Sequence, residues 1–126
     1  MSRTVLHTEH APAAIGPYSQ GIMTEDMIFV SGQIPVDPTT GEMQGDVAAQ
    51  TKQVMENLKA VLKAANAELS QVVKATIFLT DIADFKAVNE VYASYFIDEP
   101  PARSTVAVAA LPLQAKVEIE VIAVKH

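Results

Sequence analysis

Apolar residues recur along this chain in two rhythms, one near 3.6 residues and one of two. From Asp46 to Glu68 ("DVAAQTKQVMENLKAVLKAANAE") apolar or small residues fall at Val47, Thr51, Val54, Leu58, Val61 and Ala65. Steps of four, three, four, three and four trace one stripe of an α-helix, and Met55 and Leu62 widen it. Asp46 stands where a carboxylate caps the first turn. "DIADFKAVNEVYASYF" returns to helical spacing through Phe85, Val88, Tyr92 and Tyr95, and Pro100 and Pro101 lie just beyond, where a helix cannot continue. Between the two, "VVKATIFLTD" (Val72–Asp81) is β-branched and mostly apolar, which predicts a largely buried strand with Val73, Ala75, Ile77 and Leu79 on one face. "MIFVSGQ", "STVAVAAL" and "KVEIEVIAVK" also read as strands, while "TVLHT" and "SQGIMT" carry less of the pattern.

The predicted order is β-β-β-α-β-α-β-β. Each helix sits between strands, so both crossovers should be right-handed and leave both helices on one face of a mixed α/β sheet. The opposite face is then bare. A partly apolar sheet face on a small domain predicts burial against another copy of the chain. Two punctuated loops interrupt the elements, "GQIPVDPTTGEMQGD" (Gly32–Asp46) and "DEPPAR" (Asp98–Arg103).

Composition narrows the function. At 126 residues the chain reads as one domain, 1–126, and 49% hydrophobic residues supply a core. No cysteine is present, which excludes disulfides, thiol nucleophiles and cysteine-based zinc sites. A net charge of −6 with scattered basic residues argues against nucleic acid as a partner. No stretch approaches the roughly 20 apolar residues of a membrane span, and "MSRTVLHTEH" lacks a signal-peptide apolar region, so a cytoplasmic protein without a membrane partner is expected.

Arg103 stands out in "PPARSTVAVAAL", a permanent cation at the mouth of an apolar strand. Its planar fork matches a carboxylate, and the competing reading is a surface ion pair. Glu118 lies in "KVEIEVIAVK", where Val117, Ile119 and Val121 share one face, and Glu118, Glu120, Ile122 and Val124 share the other. Carboxylates on a face that turns apolar are either solvated or raised in pKa by lost hydration. If the two strands form an antiparallel hairpin around "LPLQAK", seven positions at ~3.3 Å each separate Arg103 from Glu118 by roughly 23 Å. One small molecule could then touch both only across a subunit boundary. Ser19, Ser31, Ser104 and Thr105 have no triad context, and no G-x-S-x-G elbow occurs. His7, His10 and His126 lack metal-ligand spacing, so no metal site is expected. Gly32 in "SGQIP" is no phosphate loop. Asn89 on the second helix is either a satisfied buried amide or part of a site, and Tyr18 in "GPYSQG" reads as an aromatic near a loop.

Three segments, in order and spacing, resemble the RidA (YjgF) family: "APAAIGPYSQG", "VSGQIPVDPTTGEM" and "PARSTVAVAALPLQAKVEIE". The resemblance covers nearly the whole chain. It implies a chorismate-mutase-like α/β fold and a homotrimer whose sheets form a central barrel, with ligands in clefts between subunits. It implies hydrolysis of enamines and imines such as 2-aminoacrylate/2-iminopropanoate and 2-iminobutanoate to 2-oxoacids and ammonia, without a cofactor. On that pattern Arg103 would hold the substrate carboxylate and Glu118 would activate water. Tyr18, Ser31, Gly32 and Asn89 would line or support the pocket. Many family members carry cysteine where Thr105 stands, so Thr105 is expected to donate a hydrogen bond in its place. The alternative is a trimeric metabolite-binding or regulatory module without turnover, and a ribonuclease reading attached to some relatives is disfavoured by the charge.

Overall fold

The computed structural model describes residues 2–126. Its elements are β1 (Thr4–Leu6), β2 (Gly21–Met23), β3 (Met27–Gln33), α1 (Val47–Ala64), β4 (Val72–Leu79), α2 (Phe85–Tyr95), β5 (Ala102–Ala107) and β6 (Val117–Val124). This is the order that the hydrophobic pattern predicts. Asp46 caps α1 by accepting a hydrogen bond from the Ala48 amide at 3.3 Å.

One six-stranded sheet runs β1-β2-β3-β6-β4-β5. Only β4 and β5 pair in parallel; every other neighbouring pair is antiparallel. The sheet alternates its side chains. Ile28 and Val30 of β3, Ala75, Ile77 and Leu79 of β4, and Val117, Ile119, Val121 and Ala123 of β6 are buried in a single core with Val54, Met55, Leu58, Val61 and Leu62 of α1 and Val88 and Tyr92 of α2. Both helices therefore cover the same face. The other face carries Val5, Ile22, Phe29, Phe78, Val106, Ile122 and Val124 with no helix over them, as the register of the strand pairs requires. Phe29 and Val106 remain 42% and 43% exposed.

Two expectations are corrected. The hairpin between the last two strands does not form, because β4 lies between β5 and β6. The α2 crossover brings β5 back parallel to β4, on the edge. β6 takes the inner slot, antiparallel to both β3 and β4, where its Val117, Ile119, Val121 and Ala123 join the core beneath the helices; the outer edge of β5 would offer them no such cover. The connection turns through Leu113 and Gln114, both in the left-handed region at φ 56° and 61°. Val73 is not on the buried face. A register shift opposite Ile122 and Ala123 inserts one extra residue, so Val72 points inward and Val73 is 42% exposed.

The loop from Gly32 to Asp46 is fastened from inside the core. The fully buried Asn57 donates from its Nδ2 to the carbonyls of Ile34 and Val36 at 3.1 and 3.0 Å. Gln50 accepts from the Lys116 amide at 2.9 Å and donates to the Gln44 carbonyl at 2.6 Å, which ties the start of β6 to the same loop. Leu58 is fully buried between helix and sheet. Leu58→Ala is expected to cost about 2–5 kcal/mol, the range for a leucine cavity in a packed core. Urea denaturation at fixed protomer concentration measures it, and a loss under ~1 kcal/mol would contradict this packing.

Candidate active site

Strand register sends the two central groups to opposite faces of the sheet. Arg103 pairs with Ala75, whose methyl is buried against the helices, so Arg103 also points to the helix side. Glu118 pairs with Phe78 between the inward-facing Val117 and Ile119, so it points to the uncovered side. Arg103 and Val121 both lie opposite Ala75, which puts Arg103 and Glu118 three rows apart on strands separated by β4. At ~3.3 Å per row and ~4.8 Å per strand, their backbones are about 14 Å apart. The hairpin distance was therefore too long. The conclusion that one chain cannot bring both groups to one small molecule survives on a stronger ground, since the sheet itself lies between them.

Arg103 sits on the edge strand with its Nη1 donating to Asn89 Oδ1 at 2.7 Å. The ion-pair reading of this arginine is not what the structure contains: among the described residues the one ion pair is Lys59–Glu56. Asn89 is half-buried, and its Oδ1 turns toward the sheet to accept from Arg103. The Arg103 Cζ lies 5.6 Å from the Phe85 ring centre and 5.0 Å from that of Tyr92. Thr105 follows on the same face, and its hydroxyl is buried with no hydrogen-bond partner. The Tyr92 hydroxyl is likewise buried and unpartnered.

On the uncovered face a second cluster forms where β3 bulges. Between the Val30–Val121 and Gln33–Ile119 pairs, Ser31 and Gly32 together face Glu120. Glu118 reaches over Gly32. A Cβ built on residue 32 would collide with the Glu118 carboxylate, coming 2.8 Å from its Cδ, so glycine is required for this close approach. Burial pushes the Glu118 carboxyl above its ordinary value, and Glu120 two residues on pushes it in the same direction. The Ser31 hydroxyl donates to the Ser19 carbonyl at 2.6 Å, which joins β3 to the segment that carries Tyr18. Tyr18, Ser31 and Glu120 line one open cleft of about 670 Å³ together with Arg3, Phe29 and Ile122. Tyr18 itself is 53% exposed rather than packed.

The predicted residues thus fall into two half-sites. Arg103, Asn89 and Thr105 lie on the helix side of the edge strand; Glu118, Gly32, Ser31 and Tyr18 lie on the uncovered face. Phe85, Tyr92 and Glu120 were not singled out in sequence. Phe85, Asn89 and Tyr92 follow one another at i, i+4 and i+7, which places them together on one helix face, but two aromatics in such a stripe read as core. Among the described residues no three His, Asp or Glu side chains gather as metal ligands, and no helix is long and apolar enough to cross a membrane.

The family profile described as Endoribonuclease L-PSP matches residues 8–125. The chain belongs to the RidA (YjgF) family. It is 59% identical to the protein DfrA of Myxococcus xanthus, over 98% of this chain and 97% of that one. It is 51% identical to the 2-iminobutanoate/2-iminopropanoate deaminase of Escherichia coli K12, over the full length of both. The crystal structure of E. coli TdcF with bound serine superposes with a TM-score of 0.94 at 47% identity, over 96% of this chain and 98% of that one. The RidA-type fold expected from the sequence is thus the one found, a mixed six-stranded sheet with both helices on one face.

Gly32→Ala is expected to fold, at a cost of about 1–3 kcal/mol typical of overpacking, with the Glu118 carboxylate displaced from the bulge. A crystal structure of the variant checks this. An unmoved Glu118 would show that the contact does not set its position.

Proposed function

We propose that this RidA-family domain, residues 1–126, hydrolyses small 2-imino acids to 2-oxoacids and ammonia at sites shared between neighbouring subunits of a cytoplasmic homotrimer. The observation that carries the reading is the separation of an unpaired guanidinium and a hydration-starved carboxylate onto opposite sides of one sheet. Neither half-site is complete. A heterologous contact that lays the edge strand of one subunit against the uncovered face of the next unites them, and repeating that contact closes a ring. The accessible surface supports such burial: 7268 Å² for a 13.5 kDa chain exceeds the about 6,500 Å² of a compact monomer of that mass. The relative named 2-iminobutanoate/2-iminopropanoate deaminase and the serine-bound neighbour both point to a short carboxylate-bearing ligand.

The chemistry follows from the residues. Free N–H groups of Arg103 take the substrate carboxylate in a two-point contact, and the unpartnered Thr105 hydroxyl supplies a further donor where many relatives carry cysteine. Asn89 holds the guanidinium from α2. From the adjacent subunit Glu118 orients water and accepts its proton as the oxygen attacks the imine carbon; the C=N electron pair moves to nitrogen. Glu118 returns that proton to the nitrogen, giving the carbinolamine. It then takes the hydroxyl proton and relays it to nitrogen as the C–N bond breaks, so that the ketone and ammonia leave and the carboxylate is restored. Tyr18 and Ser31 wall the cleft beside Glu120, and Gly32 leaves room for the Glu118 carboxylate. Raising the Glu118 pKa strengthens it as a base, and general-base assistance of this kind supplies typically 10²–10⁴-fold. No covalent intermediate or cofactor enters these steps. The net charge of −6 weighs against RNA as the substrate. A purely ligand-binding module would have no use for a carboxylate poised over Gly32.

Arg103→Ala and Glu118→Gln are each expected to lower 2-oxoacid formation from 2-aminoacrylate, generated in a coupled assay, by roughly 10² or more. Refolded together in equal amounts, the two variants should regain roughly a quarter of wild-type activity, because random assortment in a closed heterologous ring leaves that share of sites with both native groups. No regain would place the site within one chain. Light scattering should return three times the 13.5 kDa chain mass. The working form of Glu118 is the carboxylate, so kcat/KM should fall on acidification, with a midpoint above the ordinary 4.5 of a glutamate. A midpoint below 4.5 would contradict the burial of this group.

A further inference from the structure

Arg103 lacks the partner that usually holds a half-buried arginine. Among the described residues no carboxylate lies within ion-pair distance of it. Its Nη1 donates to the neutral Asn89 oxygen at 2.7 Å, and the Cζ lies 5.6 Å from the Phe85 ring centre and 5.0 Å from that of Tyr92. All three neighbours belong to α2, at i, i+4 and i+7, so one rigid helical face presents them together. Tyr92 is 4% exposed, and its hydroxyl bonds to nothing, so what it offers the guanidinium is its ring. Burial pushes the Tyr92 phenol upward in pKa against the opposing pull of Arg103, which keeps it neutral.

The choice of rings over a carboxylate has a consequence for binding. A built-in aspartate or glutamate would hold the arginine equally well, but it would occupy its N–H fork and neutralise its charge. An incoming carboxylate would then have to displace it. Aromatic faces attract the cation through their quadrupoles, consume no N–H donor and add no charge. A free arginine side chain also loses rotamer entropy when it is fixed on binding. Fixing it beforehand removes that cost from the binding step.

We propose that Phe85 and Tyr92 are positioning residues that clamp the Arg103 guanidinium between their rings, with its unshared N–H groups free for the substrate carboxylate. The inference rests on the reading of Arg103 as the carboxylate anchor. Phe85 is the more informative of the two to change. It lies at the first turn of α2 and is 38% exposed, so its replacement spares the core.

The experiment uses full-length protein with 2-iminopropanoate generated in situ, and isothermal titration with pyruvate. Phe85→Leu keeps an apolar side chain but removes the ring. It should raise KM and the pyruvate Kd together by about 5–20-fold, the range that a cation–π contact supplies, with kcat within about threefold. Phe85→Tyr, which restores a ring, should return both to near wild type. Unchanged KM and Kd in Phe85→Leu, alongside a strongly impaired Arg103→Ala, would overturn the clamp and leave the anchor standing. Equal impairment of Phe85→Leu and Phe85→Tyr would also overturn it, because the ring would then be irrelevant. If Arg103→Ala itself kept wild-type KM and Kd, the anchor would fail and the clamp with it.

Discussion

Side chains on adjacent β positions must point to opposite sides of the sheet, and the rest of this molecule depends on how strands β5 and β6 use that constraint. On β6, Val117, Ile119, Val121 and Ala123 fill the core beneath the helices, so Glu118 and Glu120 have nowhere to go but the uncovered face. On β5, the parallel register with β4 turns Arg103 and Thr105 toward α2. The pleat thereby splits the reactive groups, and a shift of β6 by one residue would send Glu118 to the helix side and expose Val117, Ile119 and Val121. Register is held hard for that reason. The position of the chemistry is a by-product of burying the core.

Both half-sites carry a cost that folding of one chain leaves unanswered. The Glu118 carboxylate loses hydration against Gly32 and gains only a like-charged neighbour. Thr105 and Tyr92 bury hydroxyls without partners. Such groups are rare in well-packed proteins, because each unmade hydrogen bond costs about 1–3 kcal/mol. Their grouping around Arg103 and Glu118 is the signature of surfaces shaped for something beyond the chain itself. Strain at a functional site is tolerable here because the core is large: valine, leucine, isoleucine and methionine of two helices and four strands meet in one continuous cluster.

The bulge in β3 shows how local backbone irregularity serves the same end. An extra residue at Ser31–Gly32 breaks the alternation for one step, brings backbone up against Glu118 and lets the Ser31 hydroxyl reach the Ser19 carbonyl. Glycine is needed there for space, not for an unusual dihedral: its φ is not positive, unlike that of Gly41 in the following loop, at 78°. Asn57, buried beneath the loop that follows the bulge, fastens it to α1 through two carbonyls.

What the sequence determined by itself was the set of elements and most of their faces. The two periods, the Asp46 cap and the prolines after Tyr95 are local properties, decided by neighbours within a few residues, and the helix boundaries followed them closely, whereas β5 runs over Ala102–Ala107 and stops short of the predicted Leu111. The three RidA-like segments also pointed to Arg103 and Glu118, because a short motif keeps its spacing in the written chain. The order of strands was decided only by tertiary structure. A turn between β5 and β6 is equally compatible with a hairpin and with a connection that skips one strand, and the choice depends on which slot buries the apolar face of β6 beneath the helices. The Val72–Val73 bulge, the collision of Gly32 with Glu118 and the aromatic rings around Arg103 were hidden for the same physical reason. Each joins residues that are distant in sequence, and contact between them is set by packing, which no local pattern encodes.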